Sequence, residues 1–324
     1  MRPTGKLHLG HLVGALRNYC ALQADYDCMY FVADWHALTS EYADTKELTS
    51  YAYDNVADWI AAGVDPDQST LFVQSLVPEH AELYLLLSMV VPIPWLQRVP
   101  TYKEQIEQLS DRDLSTLGFL GYPLLQGADV VIYHAQYVPV GEDQVPHLEL
   151  TREVVRRFQG LFGKLFPEPQ PLLTHFPRLP GLDNRKMSKS YDNTIDLSDD
   201  AKTVRKKIMR MYTDPKRIRA DIPGTVEGNP VFIYHDAFNT NTAEVDDLKA
   251  RYRAGTVGDV EVKDCLARAV NQVLDPMRER RNEIIGQPHR LREIVLDGSS
   301  RARAIAQETM KDVRAAVGLG YGNS

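Results

Sequence analysis

Cys28-Met-Tyr-Phe-Val-Ala33 is the stretch on which the fold turns. Six apolar or aromatic residues in a row, with no polar break, read as a buried strand. Helical patterns flank it. Before it, Gly10–Ala24 places Leu12, Ala15, Leu16, Tyr19, Cys20 and Leu22 at three-to-four spacing. After it, Glu47–Ala62 is helical and stops at Gly63. Thr70–Val73 then follows the turn-forming Asp65-Pro-Asp-Gln-Ser69 as a second short strand. Helix, strand, helix, strand predicts an α/β fold, a parallel sheet with helices on its faces.

Further along, residues 76–115 read as apolar helix interrupted by Pro92, Pro94 and Pro100. Leu117–Ala135 is helical, Tyr137–Val140 is a strand, and 167–182 is a proline-rich loop with a possible strand at Leu172–His175. From Asp199 the pattern changes to long charged amphipathic helices without a strand-like run. The expected organisation is an α/β domain over 1–190 with a helical insertion at about 76–115, an α-helical domain over 191–317, and a disordered tail, 318–324. No internal repeat or low-complexity tract appears.

The chain has 324 residues, enough for roughly two domains, and its 44% apolar and 25% charged content is that of a globular protein. Cys20, Cys28 and Cys265 are too few and too scattered for a disulfide framework or a four-ligand zinc site, which suits a reducing, cytoplasmic setting. The longest apolar run, Leu83–Val91, contains Ser88 and ends at Pro92, far short of the roughly 20 residues a membrane span needs. MRPTGKLHLGH has no signal-peptide core. The net charge of −7 argues against a general nucleic-acid coat protein, yet Lys202–Arg219 carries eight basic residues and one acid, Asp214. That patch suits RNA phosphates or, equally, a solvated helix face.

Two short motifs carry chemistry. His8-Leu9-Gly10-His11 opens the first helix, where unpaired N–H groups and the positive end of the helix dipole favour an anion. Two histidines three apart can donate to phosphate oxygens, and Gly10 allows close approach of a nucleotide. Taken alone, the pattern fits two solvated histidines as well. About 175 residues on, Lys186-Met187-Ser188-Lys189-Ser190 places two lysines three apart on a loop, each beside a serine. Such a clamp can neutralise a departing pyrophosphate. Alone, it also fits a solvated basic loop.

In this order and at this distance, the two motifs resemble the HIGH and KMSKS signatures of the class I aminoacyl-tRNA synthetases, and the short spacing resembles their compact tryptophanyl and tyrosyl branch. Between them, Tyr122-Pro-Leu-Leu-Gln-Gly-Ala-Asp129 and Val138-Pro-Val-Gly-Glu-Asp-Gln144-Val-Pro-His-Leu-Glu-Leu-Thr-Arg152 are similar to the tryptophanyl members. The resemblance runs from Met1 to about Gly320. It implies a Rossmann-type catalytic domain with a helical tRNA-binding domain. The implied activity is ATP-dependent activation of L-tryptophan and its transfer to tRNA(Trp). Mg²⁺ is expected on the ATP phosphates rather than in a protein metal site. The family is dimeric, and the apolar helices around Leu83–Leu96 are the candidate homodimer surface.

The implied roles fall on residues with their own local readings. His8, His11, Lys186 and Lys189 stabilise phosphate charge. Arg2, Pro3, Thr4, Gly10, Met187, Ser188, Ser190 and Leu179 border ATP. Gly141, Glu142 and Asp143 open a helix after a strand, where acidic side chains accept from ribose hydroxyls or simply cap the helix. Asp129 sits among Ala128, Val130, Val131 and Ile132 and needs a partner; the resemblance supplies the indole N–H, while a cap or ion pair would also serve. Tyr122 lies two helical turns before it on the same face, as a pocket residue or a packed aromatic. Gln144, Val138 and Val140 are further tryptophan-site candidates, although core packing equally explains the valines. His36, at the carboxyl end of the first strand, is either a pocket or a structural histidine. Arg205, Lys206, Lys207, Arg210, Arg278 and Arg281 are the candidate tRNA contacts.

One departure stands out. The family places a strand before the first motif, but only seven residues precede His8 and Met1–Lys6 has no strand pattern. The expectation is that this chain lacks that strand, through a late-assigned start or a shortened chain. Three other readings remain: a tyrosyl-tRNA synthetase, a small-molecule nucleotidyltransferase sharing the first motif, and a synthetase-derived binding protein without catalysis.

Overall fold

The computed structural model describes residues 1–100, 102, 113–173, 179–187 and 191–321. The first helix, α1, is a continuous run of Leu9–His11, a π-helical stretch Leu12–Leu16, and Arg17–Leu22. It leads to β1 (Cys28–Val32), α2 (Asp34–Glu41), α3 (Leu48–Ala62) and β2 (Ser69–Val73). β1 and β2 pair in parallel from Cys28 opposite Ser69 to Val32 opposite Val73. Helices α4 (Glu79–Ser88), α5 (Ile93–Gln97) and α6 (Leu117–Val131) follow, then β3 (Tyr137–Val140), α7 (Val145–Phe162) and β4 (Gln170–Leu173). β3 and β4 pair in parallel from Tyr137 opposite Gln170 to Val140 opposite Leu173. The second strand of this pair starts two residues earlier than the sequence pattern suggested.

Beyond residue 199 the described elements are helices: α8 (Ala201–Met209), α9 (Pro230–Phe238), α10 (Thr242–Ala254), α11 (Asp259–Ile285) and α12 (Pro288–Ala316). The fold is therefore a Rossmann-like α/β region followed by a helical region. Packing does not stop where the secondary structure changes. One apolar cluster joins Leu9, Val32, Val56 and Trp59 to Val204, Phe232, Leu266 and Leu274. A second joins Phe72, Leu83, Ala128 and Phe158 to Ala302, Met310 and Val313 of the last helix. Gly318–Tyr321, expected within a disordered tail, lie among the described residues, and Leu319 N bonds Arg314 O at 2.7 Å.

The last helix reaches β2 because of one residue. A Cβ built at Gly298 would stand 1.9 Å from the Leu71 carbonyl oxygen. Glycine in a helix interior costs about 1 kcal/mol against alanine, but here it lets the helix backbone rest on the strand. Ser299 then accepts from Val73 N at 3.4 Å.

At the other edge, Met1 lies along β1. Its ammonium donates to Phe31 O at 2.6 Å, and its carbonyl accepts from Ala33 N at 2.8 Å. Residues 2–7 form no strand. Among the described residues, no helix is long and apolar enough to cross a membrane.

Candidate active site

His8 is extended (φ −128°, ψ 173°) and caps α1. Its Nδ1 accepts from Gly10 N at 3.2 Å, and its own N–H donates to His11 Nδ1 at 3.1 Å. Both Nδ1 atoms are thus acceptors, which in a neutral imidazole leaves the proton on Nε2. The two rings lie 3.9 Å apart. The motif thereby presents two Nε2–H donors at a helix start.

Backbone bonds, rather than side chains, tie this motif to the segment that follows the lysine loop. Leu7 O accepts from Leu197 N at 2.9 Å and Leu9 N donates to Ile195 O at 2.9 Å, with His8 bridging Asp196. Met187 seats on Gly10, where an added Cβ would come within 2.9 Å of its Sδ. Arg2 and Thr4 are exposed beside the motif, Pro3 is buried, and Arg2 Nη1 reaches Ser40 Oγ at 3.5 Å.

The Leu179 side chain is buried in the core, which leaves its backbone as the part that would meet adenine. A tight turn follows: Pro180 bridges Lys186, and Gly181 N donates to Arg185 O at 2.7 Å. Asn193 closes the turn through Asp183 Oδ1 at 2.8 Å and Lys186 O at 3.1 Å. Lys186 is exposed at its end. Ser188, Lys189 and Ser190 lie outside the described residues.

Asp129, 4% exposed, is the centre of a second cluster. Oδ1 accepts from Gln74 Nε2 at 2.8 Å and bonds His80 Nδ1 at 2.6 Å; Oδ2 bonds His36 Nε2 at 2.8 Å and accepts from Gln74 Nε2 at 3.0 Å. His80 Nε2 in turn bonds Tyr133 Oη at 2.7 Å. Burial alone would raise the Asp129 pKa, but hydrogen bonds from His36 and His80 outweigh it and hold the carboxyl well below the usual range. A carboxylate has about four lone-pair sites, and four hydrogen bonds occupy them here.

Gln74 and His80 escaped the sequence reading. The available signal was an amide and an imidazole just past an apolar strand end, in Phe72-Val-Gln-Ser-Leu-Val-Pro-Glu-His80. Their purpose shows only when β2 is placed opposite α6. Tyr122 is buried and its ring lies 5.6 Å from that of His147, tilted by 43°; His147 is another residue the sequence did not single out. Burial, then the nearby His36, lowers the His147 pKa to about 4.

Gly141 follows β3, and Glu142–Gln144 form a 3₁₀ turn into α7 with no side-chain cap. Helix capping therefore does not account for Glu142 or Asp143, both of which are exposed. Gln144 Nε2 donates to Asp143 Oδ2 at 3.2 Å. Val140 is buried and Val138 is half-buried.

The basic candidates divide. Lys202, Lys206 and Arg210 are exposed and form no ion pair among the described residues. Arg205 pairs with Asp264, and Lys207 with Asp199 at 2.7 Å. Arg217, counted in the basic run, is buried and serves Asp259 and three backbone carbonyls. Arg278 bonds Asp199 O and Asn271, and Arg281 pairs with Asp54 and Asp58. Arg281 thus joins α11 to α3, and Arg278 ties α11 to the segment before α8, because buried or half-buried carboxylates and carbonyls claim their donors. Sequence proximity to other arginines could not show that.

Rossmann-like strands, a histidine motif at the first helix and Met187 of the lysine motif seated on it define a class I synthetase. The chain belongs to the family "tRNA synthetases class I (W and Y)", whose model matches residues 1–275. It is 49% identical over 320 residues to the tryptophan–tRNA ligase of Thermotoga maritima, covering 98% of each chain. It is 49% identical over 321 residues to that of Treponema pallidum, covering 98% of this chain and 95% of the relative. A crystal structure of Campylobacter jejuni tryptophanyl-tRNA synthetase complexed with ADP and tryptophan superposes with a TM-score of 0.88 at 32% identity, covering 98% of both chains.

Proposed function

We propose that this chain is a tryptophan–tRNA ligase: it activates L-tryptophan with ATP and transfers it to tRNA(Trp). The observation that carries the choice of amino acid is Asp129, a buried carboxylate that hydrogen bonds from His36 and His80 keep ionised. An indole N–H is a donor with no acceptor ability, and such an acceptor suits it. The relatives' names and the Campylobacter complex support the same substrate.

The tryptophan carboxylate attacks the α-phosphate of ATP, giving tryptophanyl-adenylate and pyrophosphate. The Nε2–H groups of His8 and His11, with Lys186 and Lys189, stabilise the charge that develops on the phosphates. Catalysis is then positioning plus electrostatics, with no covalent nucleophile on the protein. A Mg²⁺ ion arriving with ATP would be held by the phosphate oxygens, the usual arrangement for that ion, and would help to neutralise their charge. The indole N–H enters a carboxylate whose sites are already filled, so it replaces one donor. His36 is that donor, since its ring retains some exposure while His80 and Gln74 have none.

Lys202, Lys206 and Arg210 meet tRNA phosphates. Leu85, Met89 and Ile93 expose 52, 69 and 57% of their surfaces within the Leu83–Leu96 region, and a second copy of the chain covers them. The protein works in the cytoplasm, with the rest of translation.

Amino-acid-dependent ATP–pyrophosphate exchange with each of the twenty amino acids tests the reading. Tryptophan alone supports exchange if it holds. Exchange with tyrosine would overturn the pocket assignment, and tryptophan binding without exchange with any amino acid would favour a non-catalytic relative.

A further inference from the structure

The histidine motif is held from a third direction, beneath its first residue. Leu7, whose carbonyl bonds Leu197, turns its backbone N–H toward the Asp58 carboxylate of α3. Asp58 is 2% exposed. Arg281 reaches it from α11, 223 residues away, donating from Nε to Asp58 Oδ1 at 2.6 Å and from Nη2 to Asp54 Oδ1 at 2.9 Å. Arg280 beside it donates to Ala61 O at 2.7 Å, so α11 grips the last turn of α3 as well.

A buried carboxylate facing a backbone N–H needs a cation to stay ionised. Arg281 and Asp54 are charged groups that face Asp58. Burial pushes its pKa up to about 6, Asp54 adds to that rise, and Arg281 and the Leu7 N–H oppose it. Asp54 shares the same guanidinium but not the contact with Leu7, which makes it a built-in control.

We infer that Asp58 and Arg281 are positioning residues for ATP: the helical region, through Arg281, fixes Asp58 against Leu7 and so fixes where His8 and His11 present their Nε2–H donors. Neither residue touches the phosphates. The inference rests on the phosphate role proposed above for the two histidines. Because Leu7 precedes His8 directly, a shift of a few tenths of an ångström there moves both donors together. Asp129 is bonded by other elements and is insulated from the change. The signature is therefore a defect seen with ATP and not with tryptophan.

Pyrophosphate exchange on the full chain, with ATP and tryptophan varied in turn, reads this out. Asp58→Asn is expected to lower kcat/KM for ATP about tenfold while leaving KM for tryptophan within about twofold. Asp54→Asn leaves both near wild type. Arg281→Met reproduces the ATP defect, and Arg281→Lys restores part of it. Should Asp58→Asn fail to fold, the Arg281 pair carries the test. Equal defects in Asp54→Asn and Asp58→Asn, or parallel losses for both substrates, would reduce the network to a stabilising one and overturn the inference. His8→Ala in the same assay separates the two readings. If it keeps full kcat, the phosphate role itself falls. If it loses kcat while Asp58→Asn and Arg281→Met match wild type, only the positioning inference falls.

Discussion

The two halves of the active site are built on opposite plans. Around Asp129 the geometry is made by side chains: three residues from three elements fill a buried carboxylate with hydrogen bonds. Around His8 it is made by backbone: residues 7–9 pair with 195–197, and the imidazoles are set by main-chain N–H groups and one another. The first plan suits a pocket that must reject look-alikes, since a buried polar group left unpaired penalises the wrong ligand. The second suits a site that binds a flexible polyphosphate, where helix-end donors serve many geometries. Under the proposed function, discrimination resides in the half around Asp129 and rate in the half around His8.

That division is open to test. The largest effect is expected from Asp129→Ala, which leaves His36, His80 and Gln74 without their shared acceptor. kcat/KM for tryptophan should fall at least about 100-fold while KM for ATP changes only a few-fold. Steady-state exchange kinetics check this, and an intact tryptophan kcat/KM would dissolve the contrast between the halves.

A middle-sized effect is expected from pH, through His147. Its folded pKa of about 4 lies below the ordinary value of 6.5. Below pH 6.5 the unfolded chain therefore binds a proton that the native protein does not, and stability falls as pH drops toward 4. Between pH 7 and pH 5 this amounts to at most about 2 kcal/mol. Urea unfolding of wild type and His147→Phe at both values should show a shallower loss in the variant. Equal losses would mean that the pocket wall does not carry that acid sensitivity.

The smallest effect belongs to the exposed surface. Lys206→Ala should leave pyrophosphate exchange unchanged, weaken tRNA charging a few-fold, and reduce the salt dependence of tRNA binding by about one charge. Arg205→Ala, which first loses its pair with Asp264, should do less to the salt slope. If both variants behave alike, the exposed and the paired cations are equivalent to RNA.

Much of the fold was legible. Cys28–Ala33 and Thr70–Val73 gave two parallel strands because apolar runs between helical patterns leave few alternatives. Gly63 ended α3 where the pattern stopped. In the site, the order of the two motifs and the apolar setting of Asp129 were visible too. The partners of Asp129 were not. Gln74, His36 and His80 lie 55, 93 and 49 residues from it, and nothing local marks a residue as a donor to a distant carboxylate. The same blindness made Arg278 and Arg281 look like surface cations, because charge can be counted along a chain but burial cannot.

The sequence by itself determined the elements, their order and the residue types that chemistry requires, since periodicity, capping and short motifs are local properties. Only the tertiary structure decided which donors hold Asp129 ionised, which arginines are consumed inside the protein, and how Gly298 brings the last helix onto β2. Those are outcomes of desolvation and close approach between segments far apart in the chain, and such energies exist only once the segments have met.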